Sequence, residues 1–157
     1  MNDSETTVTT SVLVNVPIEH AFKVFTERFD LWWPRTHHIA KVEMQTAVLE
    51  QHEGGRWFER GVDGSECEWG RVLAYAPPTH VAVSWHLTPD YGYDPDPAKA
   101  SRVDVRFHAE DGTRTRVELV HSLLDRHGEG WQRMRDSVGS SGGWGGILAK
   151  YVETTAR

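Results

Sequence analysis

Seven stretches of this 157-residue chain read as strands, four of them with apolar and polar side chains in alternation, and short turn signals separate most of them. A period of two sends every second side chain to one face, so each alternating stretch predicts a half-buried strand. The first is Thr6 to Val16, in which Val8, Thr10, Val12, Val14 and Val16 share one parity. Lys41 to Glu50 is the second, and Gly54-Gly55 divides it from the third, Arg56 to Val62. Asp63-Gly64 is a strong hairpin signal that turns the chain into a fourth strand, Ser65 to Tyr75. After Pro77-Pro78, the fifth strand, His80 to Leu87, sets Val81, Val83, Trp85 and Leu87 on one side. The sixth, Ser101 to His108, does the same with Val103, Val105 and Phe107. Asp111-Gly112 leads into the seventh, Thr113 to Leu124, which aligns Thr115, Val117, Leu119, His121 and Leu123.

Helical spacing occurs in two places. Pro17 can open a helix because its missing N–H costs nothing at that position. Ile18, Ala21, Phe22 and Phe25 then make Pro17 to Thr26 a short amphipathic helix, and a further turn carries Phe29, Trp32 and Trp33 before Pro34. Gly128 to Thr155 reads as the last helix, with Trp131, Met134, Val138, Gly145, Leu148 and Val152 near one face. Its centre, Gly139 to Gly146, is mostly Gly and Ser. Glycine within a helix costs roughly 0.5–1 kcal/mol relative to alanine, so the run needs a reason. Close approach to the sheet, empty volume beside it, or a break in the helix would each supply one.

Composition narrows the functional classes. A formal net charge of −6, without a basic run, argues against nucleic acid. The single cysteine, Cys67, excludes an intrachain disulfide and fits a reducing compartment. The N-terminus lacks a secretory pattern and no apolar run approaches the ~20 residues of a membrane helix, so a cytoplasmic protein without membrane insertion is expected. The chain is expected to form one domain over residues 1–157, with residues 1–5 a candidate disordered start. Seven tryptophans need an interior, a pocket wall or an interface. Thr88 to Ala100, with three prolines, is either a lid or a plain surface excursion.

The order of strand, two short helices, six strands and terminal helix carries recognisable local motifs. They are Val16-Pro17-Ile18-Glu19-His20-Ala21-Phe22, Gly54-Gly55-Arg56-Trp57, Gly70-Arg71-Val72, Ala76-Pro77-Pro78, Ser84-Trp85, Gly112-Thr113 and Trp144-Gly145. In this order the chain resembles the START-related helix-grip (SRPBCC) superfamily, and within it the branch related to the C-terminal domain of activators of the heat-shock-protein-90 ATPase. The resemblance implies an α+β helix-grip fold. In it, a curved antiparallel sheet of about seven strands wraps round a long C-terminal helix, and two short helices follow the first strand. It also implies a cavity between sheet and helix. Members bind lipids, sterols, polyketides or plant hormones, and some are cyclases. The chaperone activators carry a separate N-terminal domain that makes most of the chaperone contact. Nothing in this sequence corresponds to it, so a co-chaperone role ranks last, and a protein partner is not evident.

The hairpin at Asp63-Gly64 sets the candidate site. A two-residue loop pairs Val62 with Ser65, hence Trp57 with Gly70 and Glu59 with Glu68. One face then shows Phe58, Arg60, Cys67, Trp69 and Arg71. The other shows Trp57, Glu59, Glu68, Gly70 and Val72. Counting apolar residues favours the first face as interior, whereas the family pattern favours the second, and Trp57 over Gly70 fits an aromatic ring covering a bare glycine. Two facing carboxylates inside a cavity would force one to hold a proton and could work as acid and base, whereas outside they are a solvated pair.

The expected function is binding of a small, partly apolar ligand, lipid-like, aromatic or polyketide-like. The expected contacts are Trp33, Trp57, Glu59, Glu68, Trp85, His121 and Trp144. The alternative is a helix-grip cyclase, aromatase or hydrolase using Glu59, Glu68 and His121 as acid-base groups, although a lone histidine placed like His121 is more often a core residue with a satisfied hydrogen bond. No metal is expected: His37-His38 are adjacent, and Glu66-Cys67-Glu68 alternates in direction. No cofactor is expected, since no phosphate loop or dinucleotide fingerprint is present.

Overall fold

The computed structural model describes residues 3–156, and Met1 and Asn2 lie outside the described residues. Asp3–Thr6 form one 3-10 turn. Seven antiparallel strands follow: β1 (Val8–Val14), β2 (Met44–Leu49), β3 (Arg56–Gly61), β4 (Glu66–Ala76), β5 (His80–Trp85), β6 (Ser101–Asp111) and β7 (Arg114–Ser122). They hydrogen-bond in the order β1-β7-β6-β5-β4-β3-β2. Every neighbour from β2 to β7 is joined by a hairpin-type connection, and β1 closes against β7, with Val8 opposite His121 and Val14 opposite Thr115. The chain crosses from β1 to β2 through α1 (Ile18–Thr26) and α2 (Phe29–Trp32). This is the α+β helix-grip architecture, a curled sheet holding helices on its inner side.

Alternation fixes which residues fill the core. Val81, Val83 and Trp85 of β5, Val103, Val105 and Phe107 of β6, and Val117, Leu119 and His121 of β7 all point inward and are buried. Phe22, Phe25, Phe29, Trp32 and Tyr151 cover them from the helices, with ring centroids 5.1 to 5.7 Å apart in several edge-on pairs. The middle of the concave side is packed nearly solid, leaving a void of about 20 Å³. A void that small holds about one water.

The expected single terminal helix is two helices, α3 (Trp131–Val138) and α4 (Trp144–Thr155). Of the three reasons weighed for the glycine run, the break is the one realised. The chain folds back so tightly that a Cβ on Gly143 would sit 2.2 Å from the carbonyl oxygen of Val138. His37 Nε2 lies 2.8 Å from the carbonyl oxygen of Gly142 and ties the break to the segment after α2.

Candidate functional site

The turn between β3 and β4 decides what enters the interior. Gly61 N–H donates to Ser65 O, and Gly64 takes a φ of +85°. The loop is thus three residues long, a β-turn closed by a left-handed glycine, rather than the two-residue turn read from Asp63-Gly64. That slips the pairing by one: Arg60 faces Glu66, Glu59 faces Cys67, and Phe58 faces Glu68. A bulge then restores the expected register, so Trp57 faces Gly70 after all. The expected Glu59–Glu68 pair is therefore corrected. Glu68 shares the outer face with Phe58 and lies 2.6 Å from Arg71 Nε. The residue the bulge turns inward is Trp69, which parity had assigned to the outer face; bulges characteristically re-aim a side chain in this way.

Glu59 is fully buried. Its Oε1 accepts from Ile39 N–H at 2.6 Å and from the Trp69 indole N–H at 2.9 Å. Oε2 accepts from Ala40 N–H at 3.3 Å and lies 3.9 Å from His38 Nδ1. Both oxygens act only as acceptors, the role of an unprotonated carboxylate. Glu59 thereby anchors the segment between α2 and β2, and it stands behind the cavity wall instead of in it.

That wall encloses about 300 Å³. Four indoles form the buried side: Trp33 from the end of α2, Trp69 from β4, Trp85 from β5 and Trp144 at the start of α4. Ring centroids lie 5.1 Å apart for Trp33 and Trp69, 5.6 Å for Trp85 and Trp144, and 6.0 Å for Trp33 and Trp144. Leu87, Val138 and Ile147 complete the apolar surface. Exposed Thr36, Tyr91 and Gly142 surround the mouth, with His37 and His38 half-buried beside them. The cavity thus lies where the helix breaks, beside the central strands β4 and β5, instead of along the whole helix.

The indole N–H groups differ in their partners. Trp33 donates to the carbonyl of His37, Trp69 to Glu59 and Trp144 to His121 Nδ1. Trp85 Nε1–H is buried and has no acceptor among the described residues. An orphaned buried donor costs about 1–3 kcal/mol, so it marks a place where an acceptor is wanted.

Of the residues expected at the site, Trp33, Trp85 and Trp144 line the cavity. Trp57 lies behind them, donating to the carbonyl of Ser84 at 2.8 Å while covering Gly70. His121 is fully buried behind Trp85 and Trp144. An indole N–H can only donate, so His121 Nδ1 accepts from Trp144 and the ring proton sits on Nε2, facing Ser101 Oγ at 2.7 Å. Ser101 in turn meets His127 Nε2 at 2.7 Å. Burial, assisted by His127, pulls the His121 pKa down to about 3, so the ring is neutral at pH 7. Burial likewise lowers His127 to about 4.

Sequence reasoning missed Trp69, because a bulge breaks parity without leaving a mark in the hydrophobic pattern. It also passed over His38 and Tyr91. Tyr91 sits in the long proline-rich loop already singled out, and holds a left-handed φ of +60°.

The sequence matches the family described as activator of Hsp90 ATPase homolog 1-like protein over residues 15–155. The chain belongs to that family. Among solved structures it is similar to an anthrahydroquino-γ-pyrone synthase, Txn09, with 36% identity over 94% of this chain and 95% of that one, at a TM-score of 0.65. It is also similar to CalC, a self-sacrificing resistance protein from Micromonospora echinospora, with 30% identity over 96% and 94% of the two chains and a TM-score of 0.69. A protein from Nitrosomonas europaea shares the fold at a TM-score of 0.68 and 15% identity, covering 99% of this chain and 97% of that one. Comparison with curated proteins found no match. Among the described residues no helix of this family member is long and apolar enough to cross a membrane.

Proposed function

We propose that this protein binds a flat, partly apolar aromatic molecule of polyketide type in the cavity beneath the helix break. The observation that carries the reading is the set of four indoles, from four different elements, converging on one space of about 300 Å³. That volume stands at the lower end of small-molecule sites, roughly 300–1,000 Å³, and suits a few fused rings. Aromatic rings offer such a ligand large contact area and offset or edge-on stacking. Similarity to Txn09, named for the synthesis of a fused-ring product, supports the ligand class. Titration with anthraquinone, followed by tryptophan emission, is expected to give saturable binding in the micromolar range. Absence of binding by any fused-ring probe at that level contradicts the reading.

A second reading, catalysis on the bound molecule, is favoured by the same relative, a synthase at 36% identity, together with the histidines at the cavity mouth. Turnover of a polyketide precursor by purified protein, read as a new absorbance band, tests it.

A further inference from the structure

His38 lines the cavity and is held from behind. Its Nδ1 lies 2.9 Å from the carbonyl oxygen of Ala40. A carbonyl can only accept, so Nδ1 carries the proton. On the same side, Glu59 Oε2 stands 3.9 Å away, fully buried, with its own oxygens fixed by Ile39, Ala40 and Trp69. Nε2 is then the nitrogen with a free lone pair, and it has no partner among the described residues. The neighbouring His37 is engaged at both nitrogens, by Thr36 Oγ1 at 3.1 Å and Gly142 O at 2.8 Å. An imidazole whose far N–H is oriented by a carbonyl and backed by a buried carboxylate is arranged to accept a proton at its near nitrogen, because the cation so formed is stabilised in place.

Resting on the aromatic-ligand reading above, we propose that His38 Nε2 is the proton acceptor of the cavity, and that its ligand is a hydroxyaryl ketone. The ligand's carbonyl oxygen takes the orphaned N–H of Trp85. Its acidic hydroxyl faces His38. The O–H bond breaks, its electron pair stays on the oxygen as a phenolate or enolate, and the proton forms a new bond to Nε2. The imidazolium is compensated by Glu59 behind and by the anion in front. No oxidant or second reactant enters, and the proton returns along the same path. Ionisation in the cavity raises electron density on the ring, which is the activation that ring closure or acyl transfer at a polyketide oxygen or carbon requires.

The test uses 1,2-dihydroxyanthraquinone, whose colour changes when its hydroxyl ionises. Calorimetry reads binding, and visible absorbance reads ionisation, so the two can fail separately. With the unaltered protein, the midpoint of the colour change is expected at least one pH unit below that of the free probe. His38→Asn keeps a donor for the Ala40 carbonyl but has no counterpart of Nε2. It is expected still to give binding heat, to bind about tenfold more weakly at a pH where the probe bound to the unaltered protein is ionised, and to lose the shift. Retention of the shift in His38→Asn, or binding to the unaltered protein without a shift, overturns the role of His38 while leaving the cavity reading intact. Absence of binding heat overturns both.

Discussion

Trp69 Nε1 donates to Glu59 Oε1 at 2.9 Å, although the cross-strand partner of Glu59 is Cys67. The bond exists because one bulge turns Trp69 inward beside a carboxylate that the turn register has already buried. The pair joins the sheet to the segment bearing His38 and Ile39, so it shapes the cavity mouth as well as the core. Trp69→Phe removes the donor and leaves part of a buried carboxylate unsatisfied. Urea denaturation is expected to report a loss of about 2–3 kcal/mol, together with weaker binding of fused-ring probes.

The glycines of the helix break are not equivalent. A Cβ on Gly143 would meet Val138 O at 2.2 Å and Ser137 O at 2.5 Å, both backbone atoms that cannot yield cheaply. Gly143→Ala is expected to cost about 2–4 kcal/mol. Gly145 is exposed within α4 and has open space where its Cβ would be. There alanine improves helix propensity, and Gly145→Ala is expected to stabilise by about 0.5–1 kcal/mol. Thermal melts of the two variants separate close approach from propensity.

Stability should fall on mild acidification. The pKa of His121 is lowered from 6.5 to about 3 by burial, then by His127. The unfolded chain takes up that proton as pH drops through 6.5, and the folded chain does not until about 3. This contribution is complete above pH 6.5 and is lost progressively below it, by about 1.4 kcal/mol per pH unit. Between pH 7 and pH 5, above the range in which carboxylates titrate, denaturation midpoints are expected to report about 2 kcal/mol of loss from this residue. Half-buried His127, lowered to about 4, acts in the same direction. His121→Gln should flatten the slope.

Tyr91 reaches across the cavity mouth to Ser137, its hydroxyl bonded to Ser137 Oγ, from a left-handed backbone conformation that tyrosine seldom adopts. Asp90 beside it approaches Arg133 of α3 at 3.5 Å. Tyr91→Phe removes one hydrogen bond worth about 1 kcal/mol from the closed arrangement. Stopped-flow displacement of bound anthraquinone is expected to show release about fivefold faster.

The sheet was legible because alternation is a local property: Val103, Val105 and Phe107, or Val117 and Leu119, declare their face without help from the rest of the fold. The short helices were legible from Pro17 and the spacing of Ala21, Phe22 and Phe25. The site was legible only in part. Trp33, Trp85 and Trp144 follow from parity or helical position. Trp69 and Glu68 exchange faces because a three-residue turn and a bulge offset one another, and neither leaves a hydrophobic signature. His38 gains its role from Ala40 and Glu59, the second of which is near it only through folding. The helix break could be named from its glycines, but choosing among their possible roles needed the carbonyl contacts of Gly143.

Four converging indoles form the wall of the proposed ligand site, and each carries an N–H that reports on its surroundings. The direct measurement is a nitrogen-15 spectrum of the seven tryptophan indole N–H groups during titration with anthraquinone. Large shifts are expected for Trp33, Trp69, Trp85 and Trp144, greatest for the unpartnered N–H of Trp85, with Trp32 and Trp131 unmoved. Shifts confined to Trp131, or none at saturating probe, would contradict that site.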